Sequence, residues 1–197
     1  MRTIAIVWRV LVLTLFASGC AWQRVDEPPA YKAEKFPITV ALIPSDSPYA
    51  QGLAPDLARE MEAIGAFEQV TYPYRSGDEV DCLLEFDAVG STDGHGVGAG
   101  IASGLTFGLA GTVVGPSVVL THDIDFYLTN GKTEVAHDKV HVESEAEFGV
   151  FADTDEVAAK QAALHNRRIA IGILEKFAPQ RSTIDAVCTG YAQQAQN

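Results

Sequence analysis

Charge is sparse in this sequence, and positive charge is sparser still. Only 20% of the 197 residues are charged, 14 basic against 26 acidic, for a net charge of −12 at pH 7. A field of that sign opposes binding to nucleic acid and to anionic lipid head groups. Cysteine is scarce as well: there are three, with no CxxC spacing, so the usual zinc-ribbon pattern is absent. Glycines abound after Gly94, but no Gly-Lys-Ser/Thr follows them, which removes the phosphate-cradling loop. There is no Gly-x-Ser-x-Gly elbow either. Together these gaps leave no enzyme signature and no cofactor motif, and the expectation is a non-enzymatic protein. What remains is a 47% hydrophobic chain, enough to build the core of one domain.

The first nineteen residues read as a targeting segment. Arg2 and Arg9 carry the only charges there, and Val10-Leu11-Val12-Leu13-Thr14-Leu15-Phe16 forms a short apolar run. That run is well short of the ~20 residues a membrane-spanning helix needs. Ala17-Ser18-Gly19-Cys20 follows, with small residues before a cleavage point. This junction resembles the lipobox of bacterial lipoproteins, with Ala17 where Leu is commoner. The resemblance implies cleavage after Gly19, lipid on Cys20, and, because Ala21 rather than Asp comes next, an outer-membrane protein facing the periplasm. Losing Arg2 and Arg9 takes the net charge from −12 to −14. With Cys20 lipidated, Cys82 and Cys188 remain. In an oxidising compartment they read as a disulfide; the alternative is two separate thiols, with Cys82 a small core residue.

Residues 20–37, with Pro28-Pro29 and no apolar period, read as an extended tether. Residues 38–178 read as the folded domain. Ile38–Ile43 is β-rich and bounded by prolines. A helix is expected over Ala54–Ile64, with Pro55 in its first turn, Leu53, Leu57, Met61 and Ile64 on one face, and Gly65 as its stop. Phe67–Tyr72 and Val80–Val89 are further strands, the latter with Cys82, Leu84, Phe86 and Ala88 on one face. Val118–Leu128 and 132–142 flank Asn130-Gly131, a hairpin signal. Asp153 and Glu156 have capping-box spacing before a helix running to Phe177, with Ala162, Ala163, Ala170, Ile173, Leu174 and Phe177 along one side. Residues 179–197 read as a polar tail. The expected class is α+β: a mainly antiparallel sheet of about five strands, two helices on one face, and a glycine-rich apolar insertion.

Val40-Ala41-Leu42-Ile43-Pro44, the Tyr49–Gly65 stretch, Phe67–Val70 and Val80–Phe86 resemble the core of small envelope α/β modules, such as the N-terminal domain of TolB and the periplasmic domain of the curli-secretion lipoprotein. The similarity covers residues 38–88, with the later hairpin and helix in order only. It implies a partner-binding or assembly role and no catalytic residues. The glycine segment departs from that pattern.

That insertion, residues 94–117, is the main functional lead. No charge occurs from Gly96 to Thr121, and Gly100, Gly104 and Gly108 are spaced by four, with Leu105, Phe107 and Leu109 among them. Small residues at that spacing let helices approach closely, as in membrane helix pairs. Membrane contact or self-association through these six residues is one expectation; packing on the domain's own core is the other. The partners implied are a membrane, through lipid on Cys20, and envelope proteins or further copies of the chain.

Histidines 122, 137 and 141 lie in the hairpin. A two-residue turn at Asn130-Gly131 would pair Thr129 with Lys132, Ile124 with His137 and His122 with Lys139, gathering the three imidazoles on one face. Three imidazoles can bind zinc, but Lys139 among them opposes a cation, so ordinary strand histidines are expected and no metal. Asp123, Asp125 and Asp138 are expected together on the opposite, solvated face.

Overall fold

The computed structural model describes residues 23–32, 35–95, 117–149 and 152–194. The expected signal segment, Cys20, and the residues expected to contact membrane or further copies, Gly100, Gly104, Leu105, Phe107, Gly108 and Leu109, lie outside the described residues. The elements in chain order are β1 (Gln23–Val25), β2 (Phe36–Pro44), α1 (Pro48–Ile64), β3 (Phe67–Thr71), β4 (Cys82–His95), β5 (Ser117–Thr129), β6 (Glu134–Phe148), α2 (Thr154–Phe177), a 3-10 turn (Ala178–Gln180) and α3 (Arg181–Gln194). The strands form one sheet of six in the order β1-β6-β5-β4-β2-β3.

The class is α+β, but the sheet is mixed rather than mainly antiparallel, and it has six strands rather than five. β2 runs parallel to β3 on one side and to β4 on the other, while β1 is antiparallel to β6. The reason lies in α1. A helix between two strands carries the chain back to the starting end, so β3 can join β2 only in parallel. The sixth strand comes from the expected tether: Gln23, Arg24 and Val25 pair with Phe148, Glu147 and Ala146. A third correction concerns the C-terminus. Residues expected as a polar tail form α3, which packs against β2.

The chain divides into two compact units. The first comprises Met1–Glu27, Thr92–Leu120 and Ser144–Ala162. In it Asp153 caps α2: its Oδ1 accepts the backbone N–H groups of Asp155 and Glu156 at 3.0 and 3.2 Å, satisfying donors a helix start leaves free. Gln161 is buried, and its Nε2 donates to the carbonyls of Val118 at 2.7 Å and Ser144 at 3.1 Å.

The second unit comprises Pro28–Ser91, Thr121–Glu143 and Ala163–Asn197. Helix α1 starts six residues before the expected Ala54, so Pro55 sits inside it rather than at its start. The first-turn role falls to Pro48. Leu53, Leu57 and Met61 are buried as their spacing requires, and Gly65 ends the helix at φ 69°, a conformation that costs other residues far more. Cys82, Leu84, Phe86 and Ala88 are all buried. Phe36 stacks on Phe67 with centroids 5.5 Å apart, and Phe177 meets Phe36 and Phe126 edge-on. Cys82 and Cys188 are bridged, with Cα atoms 5.5 Å apart, closing a separation of 106 residues. On α2 the buried positions Ile169, Ala170, Ile173, Leu174 and Phe177 join this core, but Ala163 is exposed. In the first unit Ala162 is exposed too, so the expected apolar face is right only in the helix's second half.

Candidate functional site

All the titratable clusters of interest lie in the second unit, on the two faces of β4, β5 and β6. Their placement is decided by the hairpin. Asn130 donates its N–H to the Thr133 carbonyl at 3.2 Å, and its side-chain Oδ1 accepts the N–H groups of Lys132 and Thr133 at 3.1 and 2.9 Å. Gly131 takes φ 81°. The side chains that meet across the two strands show a register other than the expected one: Asp125 reaches His137 and Lys139, where pairing Thr129 with Lys132 would set Ile124 opposite His137. A one-residue change of register moves side chains to the opposite face of a strand.

The consequences separate the histidines. His137 and His141 point to the exposed face, and His122 does not join them. His137 Nε2 meets Asp125 Oδ1 at 2.8 Å, and Lys139 Nζ meets Asp125 Oδ2 at 2.6 Å. His141 Nδ1 meets Asp123 Oδ1 at 2.8 Å. The Tyr127 ring stacks on His137, centroids 4.2 Å apart. Asp138, expected beside Asp123 and Asp125, instead accepts from Lys176 of α2 at 3.1 Å. An open groove of about 360 Å³ runs beside this ladder, lined by Asp87, Val89, Asp123, Asp125, Lys139 and His141 among others. Asp87 is held by the Ser45 hydroxyl at 2.5 Å, and Val89 is 63% exposed.

The electrostatics follow from these contacts. The Lys139 ammonium bonded to Asp125, helped by His137, holds that carboxyl below its usual range. The same bond raises Lys139. The backbone N–H of Lys139, then the Lys176 ammonium, lower Asp138. His137 and His141 share a face at a spacing of four, which on a strand is about 13 Å, too far to ligate one ion together. Among the described residues no group of three or more His, Cys, Asp or Glu side chains is placed to hold a metal ion.

The opposite face holds a pair that sequence reasoning missed. His122 Nδ1 lies 2.9 Å from His165 Nε2, and the rings are tilted at 51°. His165 is 1% exposed. Gly90 on β4 makes the room: a Cβ there would sit 2.5 Å from His122 Nε2. Burial, then the charge of His122 and of Arg168, depresses His165 to about 4. Burial also lowers His122, against the opposing pull of Asp123. Both rings are thus neutral at pH 7, one donating to the other. The available signal was the four-residue rhythm Val157, Gln161, His165, Ile169, Ile173, Phe177, which places two polar side chains on a buried stripe.

No protein-family model matches the chain. No curated protein matches it either. Among solved structures it is similar to a minor lipoprotein from Acinetobacter baumannii, at 9% identity and a TM-score of 0.46, over 76% of this chain and 96% of that one. It is also similar to a Xanthomonas campestris protein of the DUF330 family, at 14% identity and a TM-score of 0.43, over 88% of this chain and 95% of that one.

Proposed function

We propose that the chain is a non-enzymatic lipoprotein of the bacterial outer membrane, anchored by lipid on Cys20, with its folded part facing the periplasm. The observation that carries this reading is the Ala17-Ser18-Gly19-Cys20 junction behind a short apolar run. The Cys82–Cys188 bridge supports it independently, since structural disulfides belong to oxidising compartments. The described helices include none long and apolar enough to cross a membrane, so nothing in them competes with the lipid as anchor. In this reading the protein is an envelope assembly or accessory factor. The segment containing Gly100, Gly104, Gly108, Leu105, Phe107 and Leu109 contacts membrane or further copies.

A second reading, a protein-binding adaptor, is favoured by the groove beside Asp123, Asp125, Lys139 and His141. A face with fixed alternating charges and an exposed Val89 suits a polar partner surface with a small apolar contact.

The test is a Cys20→Ala protein exported through a non-lipoprotein signal, with palmitate labelling of the native form. Native protein should label and sediment with outer membranes. If the variant resists a carbonate wash, the glycine segment inserts by itself. If it becomes soluble, the lipid was the only anchor, and capture of partners by wild type against Asp125→Asn decides the adaptor reading. Absence of label on the native protein removes the lipoprotein reading altogether.

A further inference from the structure

Strand β1 begins three residues after Cys20. Three residues of chain span at most about 10 Å. We infer that, given lipid on Cys20, the β1–β6 edge of the first unit is a membrane-apposed surface, seated on a zwitterionic lipid head-group layer. The inference rests on the lipoprotein reading and deepens it. It replaces a free leash with a short one. Were the chain unpaired from Cys20 to β2, residues 21–35 would give a reach of about 50 Å. Pairing of Gln23, Arg24 and Val25 with Phe148, Glu147 and Ala146 removes most of that reach.

The chemistry of the edge specifies the kind of lipid surface. Glu145 and Glu147 lie on β6 opposite β1, Asp26 and Glu27 follow β1, and Arg24 is the cation facing Glu147. Acids outnumber bases along this edge, so an anionic layer repels it and a zwitterionic one does not. The pairing is also short enough to be broken selectively. Asp26 donates its N–H to the Glu145 carbonyl. Alternation along an antiparallel pair gives Arg24 the same phase, two residues away. Proline at Arg24 removes that donor without touching a buried side chain, since Arg24 is exposed.

The experiment uses mature lipidated protein carrying Glu145→Cys, labelled with a donor dye and reconstituted in phosphatidylcholine vesicles that contain a lipid-linked acceptor. Strong energy transfer is expected, with most of it lost when Arg24→Pro is added. A Val25→Cys/Ala146→Cys cross-link, made in place of proline with the dye moved to Glu147→Cys, should retain the transfer. That variant guards against proline simply unfolding the first unit. Vesicles rich in phosphatidylglycerol at low salt should weaken transfer, and added salt should restore it. Flotation with the vesicles but equally weak transfer in the proline and cross-linked proteins overturns the apposed edge alone. Failure to float, shared with Cys20→Ala, overturns the lipid anchor on which it rests.

Discussion

Acid should loosen this protein in a window set by the buried histidine pair. His165 is held near 4, against 6.5 when free, chiefly because its ring is buried. Its folded-state pKa is depressed, so between those values the unfolded chain binds the proton that the folded chain refuses. Stability therefore rises with pH through this range and falls as pH drops from about 6.5 towards 4. A displacement of that size is worth about 3–4 kcal/mol at most, at ~1.4 kcal/mol per pKa unit. His122 acts in the same direction, being lowered by its own burial. The carboxylates Asp125 and Asp138 have depressed values too, but their loss comes below the ordinary carboxylate range, near 4. Urea melts of wild type and His165→Gln at intervals from pH 7.5 to 4.5 separate the two effects. The glutamine keeps a polar group near His122 but takes no proton. Wild type should lose stability down this range, and the difference between the two proteins should shrink or reverse towards pH 4.5. A difference constant with pH would refute the argument, because it would mean that His165 titrates as freely when folded as when unfolded.

Gly90→Ala should destabilise by about 1–3 kcal/mol by driving a methyl into the His122 ring, and a double-mutant cycle with His122→Ala should recover much of that loss in chemical melts. Gly172→Ala should behave alike against Val140, whose Cγ1 lies 2.8 Å from the new Cβ, with Val140→Ala as the relieving change. Replacing both Cys82 and Cys188 by alanine should cost about 4–5 kcal/mol in the chain-entropy picture, because the bridge closes 106 residues; an unchanged melt would show that the unfolded chain is already restricted. Gln161→Leu should cost about 1–3 kcal/mol by leaving the Val118 and Ser144 carbonyls without their donor, read as faster amide exchange along β5 and β6.

Much of the fold could be read locally. Leu53, Leu57 and Met61 recur at helical spacing, Gly65 stops α1, and Cys82, Leu84, Phe86 and Ala88 alternate, because each signal lies within a few residues of chain. The failures were of another kind. Whether β3 lies parallel or antiparallel to β2 depends on the path of α1, which no single strand encodes. β1 is three residues of Gln-Arg-Val, with no alternation long enough to register as a strand. It exists because β6 runs on to Phe148 and offers an edge. α3 is polar by composition, yet Ile184 and the bridged Cys188, four apart, are both buried against the core.

The histidines show why the site was harder than the fold. Asn130-Gly131 announces a hairpin but does not fix the register of the strands beyond it, and a one-residue slip there decides which face each side chain takes. Beyond the turn, His137 and His141 face Asp125 and Asp123 in water, and His122 turns to the other side. There its ring nitrogen needs a polar partner, because a polar group left unbonded in a buried setting is costly. α2 supplies one in His165, 43 residues away. No local pattern links those positions. What the sequence did carry was an anomaly, two polar residues on a buried stripe of α2, and each is answered by a specific group: Gln161 by two strand carbonyls, His165 by another imidazole. A glycine where a β4 side chain would stand completes the second pair. Gln161 and His165, facing the sheet from α2, are thus each answered by a specific group, while Asp125, His137 and Lys139 on the open side are paired with one another at the surface, where an exposed ion pair contributes little.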